Sequence, residues 1–142
     1  MLKIRSYSVW LLSVFALTVC LRSPVSGESK KQPPKGYHEI RSGQATVLLE
    51  TYRDMVILDI RTPKEFKDGH LQGAKNLDYF AADFEAKVDA LDKSKTYLIH
   101  CASGGRSGKA MKLFASKKFA TVYHMNDGYK GWVAGKLPIV KD

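Results

Sequence analysis

Cysteine is scarce in this chain of 142 residues, which contains only Cys20 and Cys101. Two cysteines cannot form the several disulfides that hold small extracellular scaffolds together, so that class of protein is excluded. Internal repeats and low-complexity stretches are also missing, which excludes solenoid and fibrous architectures. His, Cys and carboxylate residues do not occur at the spacings of metal ligands, and we expect neither a metal nor a cofactor.

The charge is strongly positive but lacks the pattern of a nucleic-acid-binding protein. There are 23 Lys and Arg residues against 14 Asp and Glu, a formal net charge of +9. Lysines are scattered from Lys64 to Lys141 and do not form a dense basic block with interleaved aromatic residues. Nucleic-acid binding requires such a patch or stripe, so we expect no nucleic-acid partner. The positive surface instead predicts a weak attraction for small anions.

The N-terminal segment has the layout of a secretory signal peptide. Lys3 and Arg5 precede an uncharged run over Tyr7–Leu21, and a segment of small and polar residues leads to Gly27. A signal peptide has this order, and a membrane-spanning helix needs a longer run of about 20 apolar residues. We expect cleavage near Gly27, location in the periplasm or outside the cell, and no membrane attachment afterwards; a retained anchor is the alternative. The predicted organisation is a leader over 1–27, a solvated tether over 28–36 and one domain over 37–142.

Short apolar runs alternate with amphipathic segments in the rest of the chain. The apolar runs are typical of strands buried on both faces, and the amphipathic segments are typical of surface helices. Alternation of this kind predicts the α/β class, with a mostly parallel sheet covered by helices on both faces. Strands are predicted over 55–60, 74–77, 96–100 and 121–125, helices over 63–69, 81–91, 106–118 and 129–134, and an edge strand followed by a helix over 37–52.

The loop after the strand 96–100 is the most informative segment. Cys101 stands at the carboxyl end of that strand, where parallel sheets bind their ligands, and a helix is predicted about five residues later. Gly104 and Gly105 allow backbone conformations that other residues avoid. We therefore expect backbone N–H groups and the helix dipole to surround the sulfur, lower the pKa of the thiol and hold anions, with Arg106 at the rim. The alternative is a buried, inert cysteine, which would require neither the glycines nor the arginine.

Three segments resemble the single-domain rhodaneses. The loop from Cys101 to Ser107 matches their C-x-x-G-x-R-S pattern, the segment 59–77 resembles their D-x-R…E-[FY]-x-x-G-H-[IL]-x-G-A-x-N-[IL] pattern, and 128–132 resembles G-[FY]-x-x-W. The similarity extends over roughly 37–140. Asp127 departs from the pattern, because the family often has a second glycine there.

The resemblance implies a three-layer rhodanese-like fold and sulfur transfer. The Cys101 thiolate would attack the outer sulfur of thiosulfate or a related anionic donor and hold it as a persulfide, and a thiol, cyanide or a protein would accept it. Arg106 would contact the donor. The residues implied to bind the substrate are Ala102, Ser103, Gly104, Gly105, Arg106 and Ser107.

Two rival functions share this fold. Phosphatases related to rhodaneses have five residues between the loop cysteine and the arginine, whereas Cys101 and Arg106 are separated by four. The smaller loop suits a sulfur atom better than a tetrahedral phosphate, which disfavours a phosphatase. A sulfur carrier or binding module that serves a protein partner stays open as the second alternative.

Supporting roles are predicted for other polar residues. Asp59 and Arg61 lie at the carboxyl end of a predicted strand and could approach the loop as an ion pair or a cap. His70 is expected to hydrogen-bond to backbone in a turn, and His100 to point to the opposite side of the sheet from Cys101. Because the loop itself activates the thiol, no histidine is required.

Overall fold

The computed structural model describes residues 33–141. The predicted leader and residues 28–32 of the predicted tether lie outside these residues. The first strand begins at Gly36, one residue before the expected start of the domain. No helix within the described range has the length and apolar character needed to cross a bilayer.

Within residues 33–141, five strands and five helices alternate. The strands are β1 (Gly36–Ile40), β2 (Val56–Asp59), β3 (Lys75–Asn76), β4 (Thr96–His100) and β5 (Thr121–Met125). The helices are α1 (Ser42–Thr51), α2 (Pro63–Lys67), α3 (Phe84–Asp89), α4 (Gly105–Ser116) and α5 (Gly128–Ala134).

The strands form one sheet in the order β1-β5-β4-β2-β3, and every neighbouring pair is parallel. The predicted α/β class with a mostly parallel sheet is therefore confirmed. A separate antiparallel bridge joins His70 to Val140, so the C-terminal segment closes against the turn after α2.

Alternation along the strands divides the core between the two faces of the sheet. On β4, Tyr97 and Ile99 pack into one cluster with α3 and α4, while Leu98 packs into the other with α1 and α5. This is the three-layer arrangement that a strand buried on both faces requires. Cys101 continues the alternation and belongs to the cluster on the α4 side.

Three helices are shorter than the sequence pattern predicts, and one of them, α2, ends at Lys67 where the pattern predicts an end at residue 69. The segment 81–91 forms a helix only over Phe84–Asp89, because its ends are occupied by isolated turns. Helix α4 starts at Gly105 and ends at Ser116. Its end is a Schellman motif in which Lys118 adopts φ +60° and the Phe119 N–H bonds to the Phe114 carbonyl.

Candidate active site

The Cys101 side chain lies at the carboxyl edge of the sheet, directly after β4. It is only 1% exposed and contacts the core cluster beneath α4. Gly104 then turns the chain into α4 with φ +86°, a conformation that disfavours residues with a Cβ. A Cβ there would also lie 2.0 Å from the Asn126 carbonyl oxygen. Gly105 has an ordinary backbone conformation, so only one of the two loop glycines uses the freedom expected of both.

Hydrogen-bond donors converge on the sulfur. The Ser107 hydroxyl lies 3.4 Å from the Cys101 Sγ, and the backbone N–H groups of Ser103, Arg106 and Ser107 also point at it. Burial raises the pKa of the Cys101 thiol, but these hydrogen bonds to the thiolate outweigh burial, so the pKa lies below its ordinary value. The arrangement favours the thiolate form of the sulfur.

Helix α5 holds the loop in this shape from outside. The Tyr129 N–H donates to the Cys101 carbonyl at 2.8 Å, and the Lys130 N–H donates to the Ala102 carbonyl at 2.9 Å. Gly128 packs against the same peptide groups so closely that a Cβ would lie 2.7 Å from the Cys101 carbonyl oxygen. With two loop carbonyls bound by α5, the loop can turn N–H groups toward the sulfur.

Arg106 is paired with an acidic residue whose sequence context indicates only the start of a helix. Its guanidinium donates to both carboxylate oxygens of Glu65, at 2.8 and 2.9 Å. Glu65 also accepts from the Thr62 N–H at 2.9 Å as part of the capping box of α2. The hydrogen bonds from Arg106, against the opposing effect of burial, lower the pKa of the Glu65 carboxyl to about 2. A carboxylate matched to the loop arginine therefore links α2 to the site.

The Arg106 guanidinium also interacts with the thiol. Its pKa is raised, first by the Glu65 hydrogen bond and further by its interaction with Cys101. The exposed Phe80 ring lies 5.5 Å from its Cζ atom. Arg106 is thus a partly buried cation that interacts with both the thiol and the Glu65 carboxylate. Of the other predicted loop residues, Ser103 and Gly105 are exposed and Ala102 is half-buried.

Asp59 and Arg61 form a buried ion pair beside the site. Arg61 Nε lies 2.9 Å from Asp59 Oδ1, and the guanidinium also donates to the Gly69 carbonyl. The same guanidinium stacks 3.8 Å from the centre of the Tyr129 ring. The ion pair therefore contacts the cysteine loop indirectly, through Tyr129. Its hydrogen bond to Gly69 goes to the turn between α2 and β3.

The two histidines singled out from the sequence have structural positions. His70 Nδ1 lies 3.1 Å from the Phe66 carbonyl oxygen, as a turn histidine should. His100 lies beside Asp59, with Nε2 3.8 Å from the carboxylate, and strand alternation directs it away from Cys101.

Asp127, where the sequence departs from the rhodanese pattern, binds to helix α1. Its carboxylate accepts from the Ser42 N–H and hydroxyl, at 3.0 and 2.9 Å. Asp127 therefore links the start of α5 to the start of α1.

The fold and the loop first define a class of protein: a parallel α/β domain that holds a thiolate-stabilising cysteine at the carboxyl edge of its sheet. The chain belongs to the Rhodanese-like domain family, whose model matches residues 44–135. The resemblance seen in the sequence is thereby confirmed.

Curated relatives and solved structures agree with this family. The chain is 32% identical over 108 residues to the thiosulfate sulfurtransferase GlpE of Pseudomonas putida, covering 75% of this chain and 87% of that one. It is 31% identical over 104 residues to the GlpE of Stutzerimonas stutzeri, covering 72% and 84% of the two chains. A rhodanese-related protein from Thermoplasma volcanium shares the fold with a TM-score of 0.64 at 24% identity, covering 75% of this chain and all of that one. The chain is thus a member of the rhodanese-like sulfurtransferases.

Proposed function

We propose that this protein moves a sulfane sulfur from thiosulfate, or a related anionic donor, to a thiophilic acceptor through a persulfide on Cys101. The observation that carries the proposal is the convergence of the Ser107 hydroxyl and three backbone N–H groups on a buried sulfur whose pKa is lowered. Such a site stabilises a thiolate and, after loading, the negative charge of a persulfide.

The reaction divides into two displacements. The Cys101 thiolate attacks the outer sulfur of thiosulfate, a new S–S bond forms, and sulfite leaves with the electron pair of the broken bond. An acceptor thiolate or cyanide then attacks the terminal sulfur, and the Cys101 thiolate leaves. Neither step requires a net oxidant or reductant, since the sulfur moves between nucleophiles.

Arg106 is suited to receive the donor. A guanidinium has five N–H donors, and two of its contacts are used on Glu65. Because Cys101 is 1% exposed, we propose that an anion draws Arg106 aside from the sulfur as it enters. The loop N–H groups of residues 102–107 would then hold the transferred sulfur. The acceptor is a small thiol, cyanide or a protein that presents a thiol.

Intact mass after incubation with thiosulfate tests the proposal. We expect the chain to gain one sulfur atom, and cyanide to remove that sulfur as thiocyanate. A Cys101→Ser variant should remain folded, because the exchange is nearly isosteric, and should gain nothing. A Cys20→Ser variant is the matched control and should load like the parent chain. A parent chain whose mass does not change, or sulfur uptake by the Cys101→Ser variant, would contradict the proposal.

A further inference from the structure

A histidine to which the sequence assigns only a place in a strand lies behind the cysteine loop. His124, on β5, is 3% exposed. Its Nε2 lies 2.9 Å from the Ser107 Oγ and 3.2 Å from the Gly104 carbonyl oxygen. Its Nδ1 has no hydrogen-bond partner among the described residues but faces the Glu39 Oε1 at 3.7 Å.

Ser107 connects this ring to the thiol. The same hydroxyl oxygen that meets His124 lies 3.4 Å from the Cys101 Sγ. A continuous row of groups thus runs from the buried sulfur through a hydroxyl and an imidazole to Glu39, whose side chain is 68% exposed. Helix α4 makes room for the ring at Gly108, where a Cβ would lie 3.3 Å from the His124 Cε1.

The groups around the ring are those that a protonated imidazole needs. The Gly104 carbonyl and the Glu39 carboxylate can only accept hydrogen bonds, and the Ser107 hydroxyl can accept one while donating to sulfur. A neutral ring protonated on Nε2 would turn its Nδ1 lone pair toward the Glu39 carboxylate. One protonated on Nδ1 could accept from the Ser107 hydroxyl at Nε2 but would turn the same lone pair toward the Gly104 carbonyl. An imidazolium places an N–H toward Gly104 and Ser107 on one side and toward Glu39 on the other.

We propose that Cys101 and His124 form a thiolate–imidazolium pair bridged by the Ser107 hydroxyl, with His124 as a positioning residue for the nucleophile. The proposal rests on the proposed function, in which Cys101 is the nucleophile. The thiol proton passes to the Ser107 Oγ while the hydroxyl's own proton passes to the His124 Nε2. The S–H bond and the original O–H bond break, a new O–H bond and an N–H bond form, and no atom is oxidised or reduced.

The pair explains how a sulfur with almost no solvent contact can lose its proton. Loop N–H groups stabilise the charge but cannot carry a proton away, whereas an imidazole can hold one and pass it toward exposed Glu39. The titratable groups that the described structure places against the ring are Cys101, through Ser107, and Glu39 from β1. The neighbouring position on β4 is the apolar Ile99, and α4 presents Gly108.

Titration of the thiolate by its ultraviolet absorbance tests the pair. The full chain carrying Cys20→Ser serves as the parent, so that the signal comes from Cys101. We expect His124→Gln, which keeps an amide donor but cannot take up a proton, to move the titration upward by about one pH unit, a tenfold loss of thiolate. Combining it with Ser107→Ala should add nothing beyond Ser107→Ala alone, because both act along one route. An unchanged titration in His124→Gln, or additive effects, would overturn the pair.

Ring-nitrogen NMR supplies a second readout that needs no His124 variant. At neutral pH we expect an imidazolium at His124 in the parent chain and a neutral ring in Cys101→Ser, because the thiolate that favours the charge is removed. The same charge state in both chains would overturn the pair. Sulfur uptake measured by mass separates the two proposals. Uptake by a chain in which Cys101 and His124 titrate independently would contradict the pair alone. Coupled titration of the two residues without sulfur uptake would contradict the proposed function alone.

Discussion

At the scale of single residues, the backbone of Gly104 determines whether the cysteine loop can close. The residue adopts φ +86° and packs against the Asn126 peptide, while its own carbonyl faces Ser107 and His124. A side chain at this position would push the loop away from β5 and disturb every donor that meets the sulfur.

Gly104→Ala should lower the free energy of unfolding by at least about 2 kcal/mol, because left-handed strain adds to a contact with backbone that cannot move aside. Gly105→Ala is the matched control. This neighbouring glycine has an ordinary φ and open space around its Cβ position, so we expect a change within about 1 kcal/mol. Urea unfolding of the two variants measures the difference. Equal losses would show that the loop does not depend on the conformation of Gly104.

The residues of the site were predictable from sequence only where their signal was local. Cys101 and Arg106 lie in one loop between a strand and a helix, and the spacing of that loop indicated them directly. Glu65 and His124 carried local roles as a helix-capping residue and as part of an apolar strand. Their contacts with Arg106 and Ser107 cross 41 and 17 residues of chain, and no periodicity or spacing reports such distances.

At the scale of elements, the ion pair between Glu65 and Arg106 joins α2 to α4. Helix α2 has only five residues and buries none of them, so packing alone gives it little stability. Its capping box and the ion pair between Glu65 and Arg106 hold it in place. The same ion pair positions Arg106 beside Cys101, so the stability of α2 and the geometry of the site are coupled.

The unfolding free energy should fall as the pH is lowered from about 5 to about 2. The Glu65 pKa is near 2 in the folded chain and near 4.5 as its ordinary value, so its contribution is complete above the higher value and disappears as pH falls through the lower one. The carboxylate is 36% exposed, and after allowance for solvent screening we expect it to contribute about 1–2 kcal/mol.

Denaturant unfolding at several pH values measures this slope. Glu65→Gln should flatten it, whereas Glu50→Gln, which changes an exposed carboxylate on α1, should leave it as in the parent chain. A slope that survives in Glu65→Gln would assign the acid sensitivity to other carboxylates.

Element boundaries show where sequence patterns stop being sufficient. The predicted strands 96–100 and 121–125 match β4 and β5, because a continuous apolar run with both faces buried has clear ends. Helix α4 ends earlier than predicted because Lys118, in the place usually taken by glycine, adopts the left-handed conformation. The order of the strands in the sheet could not be predicted from the sequence, since local periodicity does not specify which strands lie next to each other.

At the scale of the whole molecule, the central strand β4 connects the two halves of the core. Leu98 is fully buried on the α1 and α5 side, while its neighbours Tyr97 and Ile99 are buried on the α3 and α4 side. Loss of volume on either face therefore weakens the layer that carries Cys101.

Leu98→Ala should lower the unfolding free energy by about 2–5 kcal/mol, the range for a large aliphatic side chain removed from a packed core. Val47→Ala is the control: Val47 is 61% exposed on α1, and we expect a change within about 0.5 kcal/mol. Thermal unfolding followed by circular dichroism distinguishes the two. A small effect of Leu98→Ala would mean that this face of the sheet is not tightly packed.

Cys101 is the free cysteine of residues 33–141. Under the proposed function, a sulfur atom accepted there meets no second thiol within the domain with which it could close a disulfide and be discharged. The Cys101 persulfide therefore persists until an acceptor molecule collides with it, and its lifetime depends on the concentration of that acceptor.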